Sequence, residues 1–181
     1  MTNYIEVVRH FVKLGPELDE YPAWFPRKGD RLTWKHVLGN DHNEPVVLLA
    51  PSGYGKSTEV LQQARRLRSE GCYAITSTAV ALATDGLRDG LDPENRNFLD
   101  DWRKTSNPAA LFIDAVDELA LQQKTLRDML RKLEAGVSVG QRSVKLVLTA
   151  RTGMCGLPPK KWTVVYAAKR ASNASSRCTG D

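Results

Sequence analysis

Three short, almost uninterrupted apolar runs constrain this chain more than any other feature: Val46-Val47-Leu48-Leu49-Ala50, Ala109-Ala110-Leu111-Phe112-Ile113 and Leu146-Val147-Leu148-Thr149-Ala150. Each is too short for a core helix and is bounded by polar or turn residues, which suits a strand buried on both faces of a sheet. Helical spacing fills the gaps between them. Residues 57–70 put Val60, Leu61, Ala64 and Leu67 on one face and stop at Gly71, and residues 119–135 put Leu119, Leu126, Leu130 and Leu133 inward and stop at Gly136. A further strand is expected at residues 72–76, and a loop with a short helix at 91–108, with Phe98, Leu99 and Trp102 as its apolar face. Strands alternating with helices predict an α/β protein, three layers deep (α/β/α), on a mostly parallel sheet.

A length of 181 residues, 41% of them hydrophobic, suffices for one core of ordinary domain size. We expect three parts: a lead-in at 1–45 packed on the core, a core at 46–151, and a basic tail at 152–181 that is disordered or foreign to the fold. Residues 3–14 have the spacing of a helix or a strand, ended by Gly15-Pro16, and the aromatic and proline-rich stretch 21–26 follows. Within the tail, residues 162–168 could form a strand, but the remainder is small, polar and basic. The net charge of +5 sits mainly there, because five basic residues stand against one acid from Thr152 onward. The core therefore gives no strong nucleic-acid signal. No apolar run approaches the roughly 20 residues of a membrane span, and the start lacks a signal peptide, so a cytoplasmic protein without a membrane partner is expected. Cys72, Cys155 and Cys178 are odd in number and far apart, which fits neither a disulfide framework nor a zinc site.

Chemistry gathers at the ends of the three runs. Ala50, Pro51, Ser52, Gly53, Tyr54, Gly55, Lys56, Ser57 and Thr58 fit the Walker A spacing of a phosphate-binding loop, with alanine in place of the first glycine. Gly53 and Gly55 permit positive φ, so backbone amides can curl around an anion. Lys56 would reach the β- and γ-phosphates, and Ser57 would offer its hydroxyl to Mg2+. The second run ends in Asp114-Ala115-Val116-Asp117-Glu118. Asp114 is placed to hold Mg2+, and Asp117 or Glu118 to orient or deprotonate an attacking water. Alternatively those two carboxylates are the cap and first-turn acid of the helix expected from Leu119. The third run delivers Thr149 and Arg151 to the crevice at the carboxyl ends of the strands. Arg151 would neutralise or sense phosphoryl charge there, or else be an ordinary surface arginine. No guanine-type N-K-x-D sequence occurs, which leans the nucleotide toward ATP. His10, His36 and His42 are isolated.

With A-P-S-G-Y-G-K-S-T at 50–58, L-F-I-D-A-V-D-E at 111–118 and L-V-L-T-A-R at 146–151, the chain resembles the STAND class of P-loop NTPases, nearest its NACHT-like bacterial, defence-type branch, over about residues 20–151. The spacing from Asp114 to Asp117-Glu118 is the discriminating element, since ordinary AAA+ proteins put a glutamate where Ala115 stands. The resemblance implies an ASCE-type sheet in which the Arg151 strand lies between the Walker A and Walker B strands. It also implies an ATP-binding switch with weak hydrolysis that pairs with copies of itself or with a partner protein. Members of that class continue past the arginine into a helical lid and sensor repeats, whereas 30 residues follow Arg151 here. The expectation is a truncated or frame-shifted piece, or a nucleotide-binding scaffold without turnover that acts through a partner. Gly156-Leu157-Pro158 comes too early to stand for the G-L-P motif of the plant-resistance branch.

Overall fold

The computed structural model describes residues 10–13, 31–39, 45–137, 143–152 and 163–168. In chain order these form β1 (His10–Lys13), β2 (Arg31–Leu32), α1 (Trp34–Gly39), β3 (Val46–Leu49), α2 (Lys56–Ser69), β4 (Tyr73–Thr78), α3 (Ala79–Asp89), α4 (Pro93–Trp102), β5 (Ala109–Asp114), a 3-10 helix (Val116–Gln122), α5 (Leu126–Val137), β6 (Val144–Ala150) and β7 (Thr163–Ala168). The sheet runs β2-β1-β7-β3-β6-β5-β4. From β7 to β4 every neighbouring pair is parallel, and β1 and β2 close the far edge antiparallel. β6, which leads into Arg151, lies between β3 and β5, in the order that the resemblance implies.

The alternation of side chains along each strand divides the core into two layers. Leu111, Ile113, Leu146 and Leu148 face one side, where they pack with Leu82, Leu87, Leu99, Trp102, Met129 and Leu133 of α3, α4 and α5. Ala110, Phe112 and Val147 face the other, against Trp34 and Val37 of α1 and Val60 and Ala64 of α2. Helices thus cover both faces of the sheet, and the architecture is the expected three-layer α/β. The edge strand β4 is sealed by α4, whose Asn95 Oδ1 accepts from the Thr76 amide at 2.7 Å and from Arg68 Nη2 at 2.5 Å.

Several elements depart from the sequence expectation. The single helix at 119–135 is two: the 3-10 helix ends with Gln123 at φ 52°, and α5 starts afresh behind Thr125. Thr125 and Asp128 cap that start reciprocally, Asp128 N donating to Thr125 Oγ1 at 3.1 Å and Thr125 N to Asp128 Oδ2 at 3.2 Å. α3 was not foreseen; Thr78 starts it by accepting from the Ala81 amide at 3.2 Å, and Gly86 at φ 86° kinks it. The strand that the sequence allows at residues 162–168 forms as β7 (Thr163–Ala168), inside a stretch otherwise expected to be disordered or foreign to the fold, and its β-branched start pairs parallel with β3. The lead-in contributes β1, β2 and α1, and Trp34 Nε1 donates to Glu59 on α2 at 2.6 Å. Residues 15–16, 21–26 and 156–158 lie outside the described residues.

Gly136 does not stop α5, which continues to Val137. Its role is contact: a β-carbon there would collide with the Leu87 side chain of α3. Gly136→Ala is therefore expected to destabilise by about 1–2 kcal/mol, the overpacking outweighing the better helix propensity. Urea titration of Gly136→Ala, Leu87→Gly and the pair checks this, since only glycine removes the Leu87 β-carbon and the double variant should lose at least about 1 kcal/mol less than the sum of the singles. Additive losses would show that the two residues do not meet.

Candidate functional site

The loop between β3 and α2 is built to expose backbone. Ala50 is fully buried and its amide donates to Ala150 O at 3.3 Å, which anchors the start of the loop to β6. Gly53 (φ 73°) and Gly55 (φ 72°) then turn the chain through the left-handed region, where a side chain would be strained. Gly55 is the N-cap of α2 and brings no side chain to cap it. The first amides of a 14-residue helix and its dipole are thus directed at whatever anion enters. Lys56 folds back over the loop, its Nζ donating to Ala50 O at 2.8 Å and Pro51 O at 3.1 Å. Burial pushes its pKa below the ordinary lysine value, against the pull of Asp117 and Asp114, and Arg151 adds to the lowering.

Beside the loop, β5 ends in Asp114. The Thr149 hydroxyl at the end of β6 donates to Asp114 Oδ1 and accepts from the Ala115 amide at 3.0 Å. Ala115 itself takes φ 58°, a left-handed turn that leads β5 into the 3-10 helix. That turn brings Asp117 under Arg151, whose Nε lies 3.0 Å from Asp117 Oδ2 and whose backbone amide donates to Asp117 Oδ1 at 3.1 Å. Glu118 Oε1 lies 3.6 Å from Arg151 Nη2. Asp117 and Glu118 do stand in the first turn of a helix, but Ala115 is its N-cap, and the partner of both carboxylates is Arg151.

One cavity of about 260 Å³ takes in Ser52, Gly53, Gly55, Lys56, Ser57 and Thr58, and with them Asp114, Asp117, Glu118 and Arg151. Residues from three separate strand ends thus converge, as expected of a crevice at the carboxyl edge of a parallel sheet. Ala50, Pro51 and Tyr54 of the expected loop set do not line it; the first two offer carbonyls to Lys56, and Tyr54 packs on the core. Thr149 does not line it either. It is fully buried and acts on Asp114 from behind, a correction to the expectation that it faces the crevice. Its β6 register beside β5, one residue beyond the Ile113 and Leu148 pair, is what places it there.

Among the described residues no group of three His, Cys, Asp or Glu could form a protein metal cage. The Ser57 hydroxyl and the Asp114 carboxylate do line one cavity with the loop amides, a donor set that fits Mg2+, which takes one or two protein oxygens and fills its octahedron from phosphate and water. Thr149→Val keeps the shape at 149 but removes the hydroxyl that serves Asp114 and Ala115. We expect a stability loss of about 1–3 kcal/mol from the orphaned amide and carboxylate, and a much smaller loss in Thr149→Ser, which keeps the hydroxyl. Thermal unfolding of the two variants decides, and an equal loss in both would leave the hydroxyl without a role. No protein-family model matches the chain, and no curated protein matches it.

Proposed function

We propose that this protein is an ATP-binding P-loop NTPase core with slow hydrolysis, the nucleotide half of a STAND/NACHT-like switch. The observation that carries the reading is the single cavity joining the glycine-turned loop and Lys56 to Asp114, Asp117, Glu118 and Arg151. Loop amides and the N-terminus of α2 would bind the β- and γ-phosphates, with Lys56 swinging from its two carbonyls onto them. Ser57 and Asp114 would hold Mg2+, with Thr149 fixing the Asp114 rotamer. Bound there, the metal would supply charge neutralisation for the phosphates. Arg151 would contact the γ-phosphate, and in leaving Asp117 and Glu118 would free a carboxylate to orient water and take its proton. Breaking that ion pair first accords with weak turnover.

The spacing from Asp114 to Asp117 supports the STAND-like assignment over an ordinary AAA+ core, while the order of β3, β6 and β5 fits either. A cytoplasmic switch of bacterial antiphage defence that assembles with itself or a partner is the setting the resemblance implies. Among the described residues no helix is long and apolar enough to cross a membrane. One observation favours a second reading, a nucleotide-binding scaffold without turnover: Arg151 engages both carboxylates offered as the base. Mg2+-dependent phosphate release above the Lys56→Ala background rejects the scaffold, and its absence with ATP binding intact rejects the hydrolase.

The lowered pKa of Lys56 gives a pH signature. A phosphate prefers the ammonium form, so affinity is full below the free-protein pKa of Lys56 and falls as pH rises through it, ahead of the ordinary 10.5. The decline should approach tenfold per pH unit above that point, with proton uptake on binding over the same range. Calorimetry in buffers of different ionisation heat measures that uptake, and none at alkaline pH would contradict it. For the fold the sign is opposite: burial disfavours the charged amine, so this group adds stability as pH rises through the same range.

A further inference from the structure

A second cavity, of about 360 Å³, opens on the other side of Ser57 and Asp114, between α2, the end of β4 and the start of α3. The proposed nucleotide chemistry leaves it unused. Its volume falls within the range of small-molecule sites. Leu61 and Ala81 give it an accessible apolar wall over the buried Val60 and Phe112, and Thr76, Ser77 and the carboxylate of Asp92 also line it. Asp114 contributes a second carboxylate, and no lysine or arginine is among the described residues that line it. Apolar walls call for a ligand with an apolar body. Two carboxylates and hydroxyl acceptors, without a cation, disfavour a carboxylate or a second phosphate and favour a positively charged donor.

We infer that this cavity is a second ligand site, for a small primary amine carrying an apolar body, set against the phosphate loop and sharing Ser57 and Asp114 with it. The ammonium group pairs with the lining carboxylates, and the apolar body lies along Leu61 and Ala81. Because Asp114 serves both cavities, an amine bound here changes the affinity of the nucleotide site, and the nucleotide changes that of the amine by the same factor. The binding claim itself needs no nucleotide.

Benzylamine, benzyl alcohol and benzoate test it, each titrated without nucleotide into the full chain while the methyl NMR signals of Val60 and Ala81 are followed. Benzylamine should bind with a dissociation constant on the order of 1 mM, benzyl alcohol several-fold more weakly, and benzoate should leave the signals in place. Asp92→Asn removes the charge yet keeps a good N-cap for α4, so the helix survives while benzylamine binding weakens about fivefold. Leu61 is 46% exposed and tolerates exchange. Leu61→Lys should weaken benzylamine about tenfold and Leu61→Glu should strengthen it. Absence of benzylamine binding, benzoate binding as tight as the amine, or indifference to the sign of charge at 61 would each overturn the inference. Each of those results leaves the nucleotide reading to the Lys56→Ala titration.

Discussion

Lys56→Ala is expected to raise the dissociation constant for ATP about 100-fold. The ammonium is held over the loop by Ala50 O and Pro51 O, and in that position it is the cation most directly presented to a phosphate in the cradle. Charge-assisted hydrogen bonds of this kind are worth about 1.5–3 kcal/mol, and 2.7 kcal/mol is roughly two decades of affinity. The fold should tolerate the change. Two carbonyls lose a donor, but a partly buried cation disappears with them, and these effects oppose one another. Lys56→Arg should fail as well, because a planar fork cannot replace a compact point charge inside a turn of this size. Calorimetric titration with MgATP, beside thermal unfolding of each variant, separates binding from folding. Equal affinity in Lys56→Ala and the parent would sink the phosphate-loop reading.

The largest effect on stability is expected from Trp102→Ala, about 3–5 kcal/mol. Trp102 closes α4, is fully buried, and donates from Nε1 to Asn107 O at 2.8 Å across the turn into β5. Its indole lies in the same apolar layer as Leu82, Leu99 and Leu111, so truncation opens a cavity among side chains that belong to three separate elements. Against a total of about 5–15 kcal/mol, such a loss leaves a marginal fold. Trp102→Phe retains most of the volume and gives up the hydrogen bond, worth about 1 kcal/mol. In urea, with a slope of about 2 kcal/mol per molar, the alanine midpoint should fall by roughly 2 M and the phenylalanine midpoint by about a quarter of that. Similar shifts for both would mean that volume at 102 does not matter.

The strands were legible in the sequence where the pattern is purely local. Pro108 before Ala109 and the carboxylates after Ile113 bracket β5, and the structure begins and ends it as expected. α3 escaped notice because Ala79, Ala81, Ala83 and Gly86 present little contrast between an apolar and a polar face. The break before α5 carried a local mark, Thr125 three residues ahead of Asp128, but the leucine spacing across it read as continuous helix. β7 could be read as a strand at residues 162–168, but its place in the sheet could not, since its pairing with β3 joins segments far apart in the chain. At the site, the loop was readable because its spacing is a chain-local property. The Thr149 to Asp114 bond and the Arg151 to Asp117 pair were not, since each joins residues 34 or 35 positions apart whose meeting depends on the parallel register of β5 and β6.

The side chains of the phosphate cavity have a further electrostatic consequence. Three carboxylates, from Asp114, Asp117 and Glu118, face two cations, Lys56 and Arg151, so the side-chain lining is net negative by one. A basic protein has thus placed an acidic pocket behind its anion cradle. A bare tetra-anionic nucleotide meets repulsion at its tail, whereas one that arrives with a divalent ion does not. On the proposed reading the pocket would work as a charge filter, admitting the metal complex and turning away the free anion.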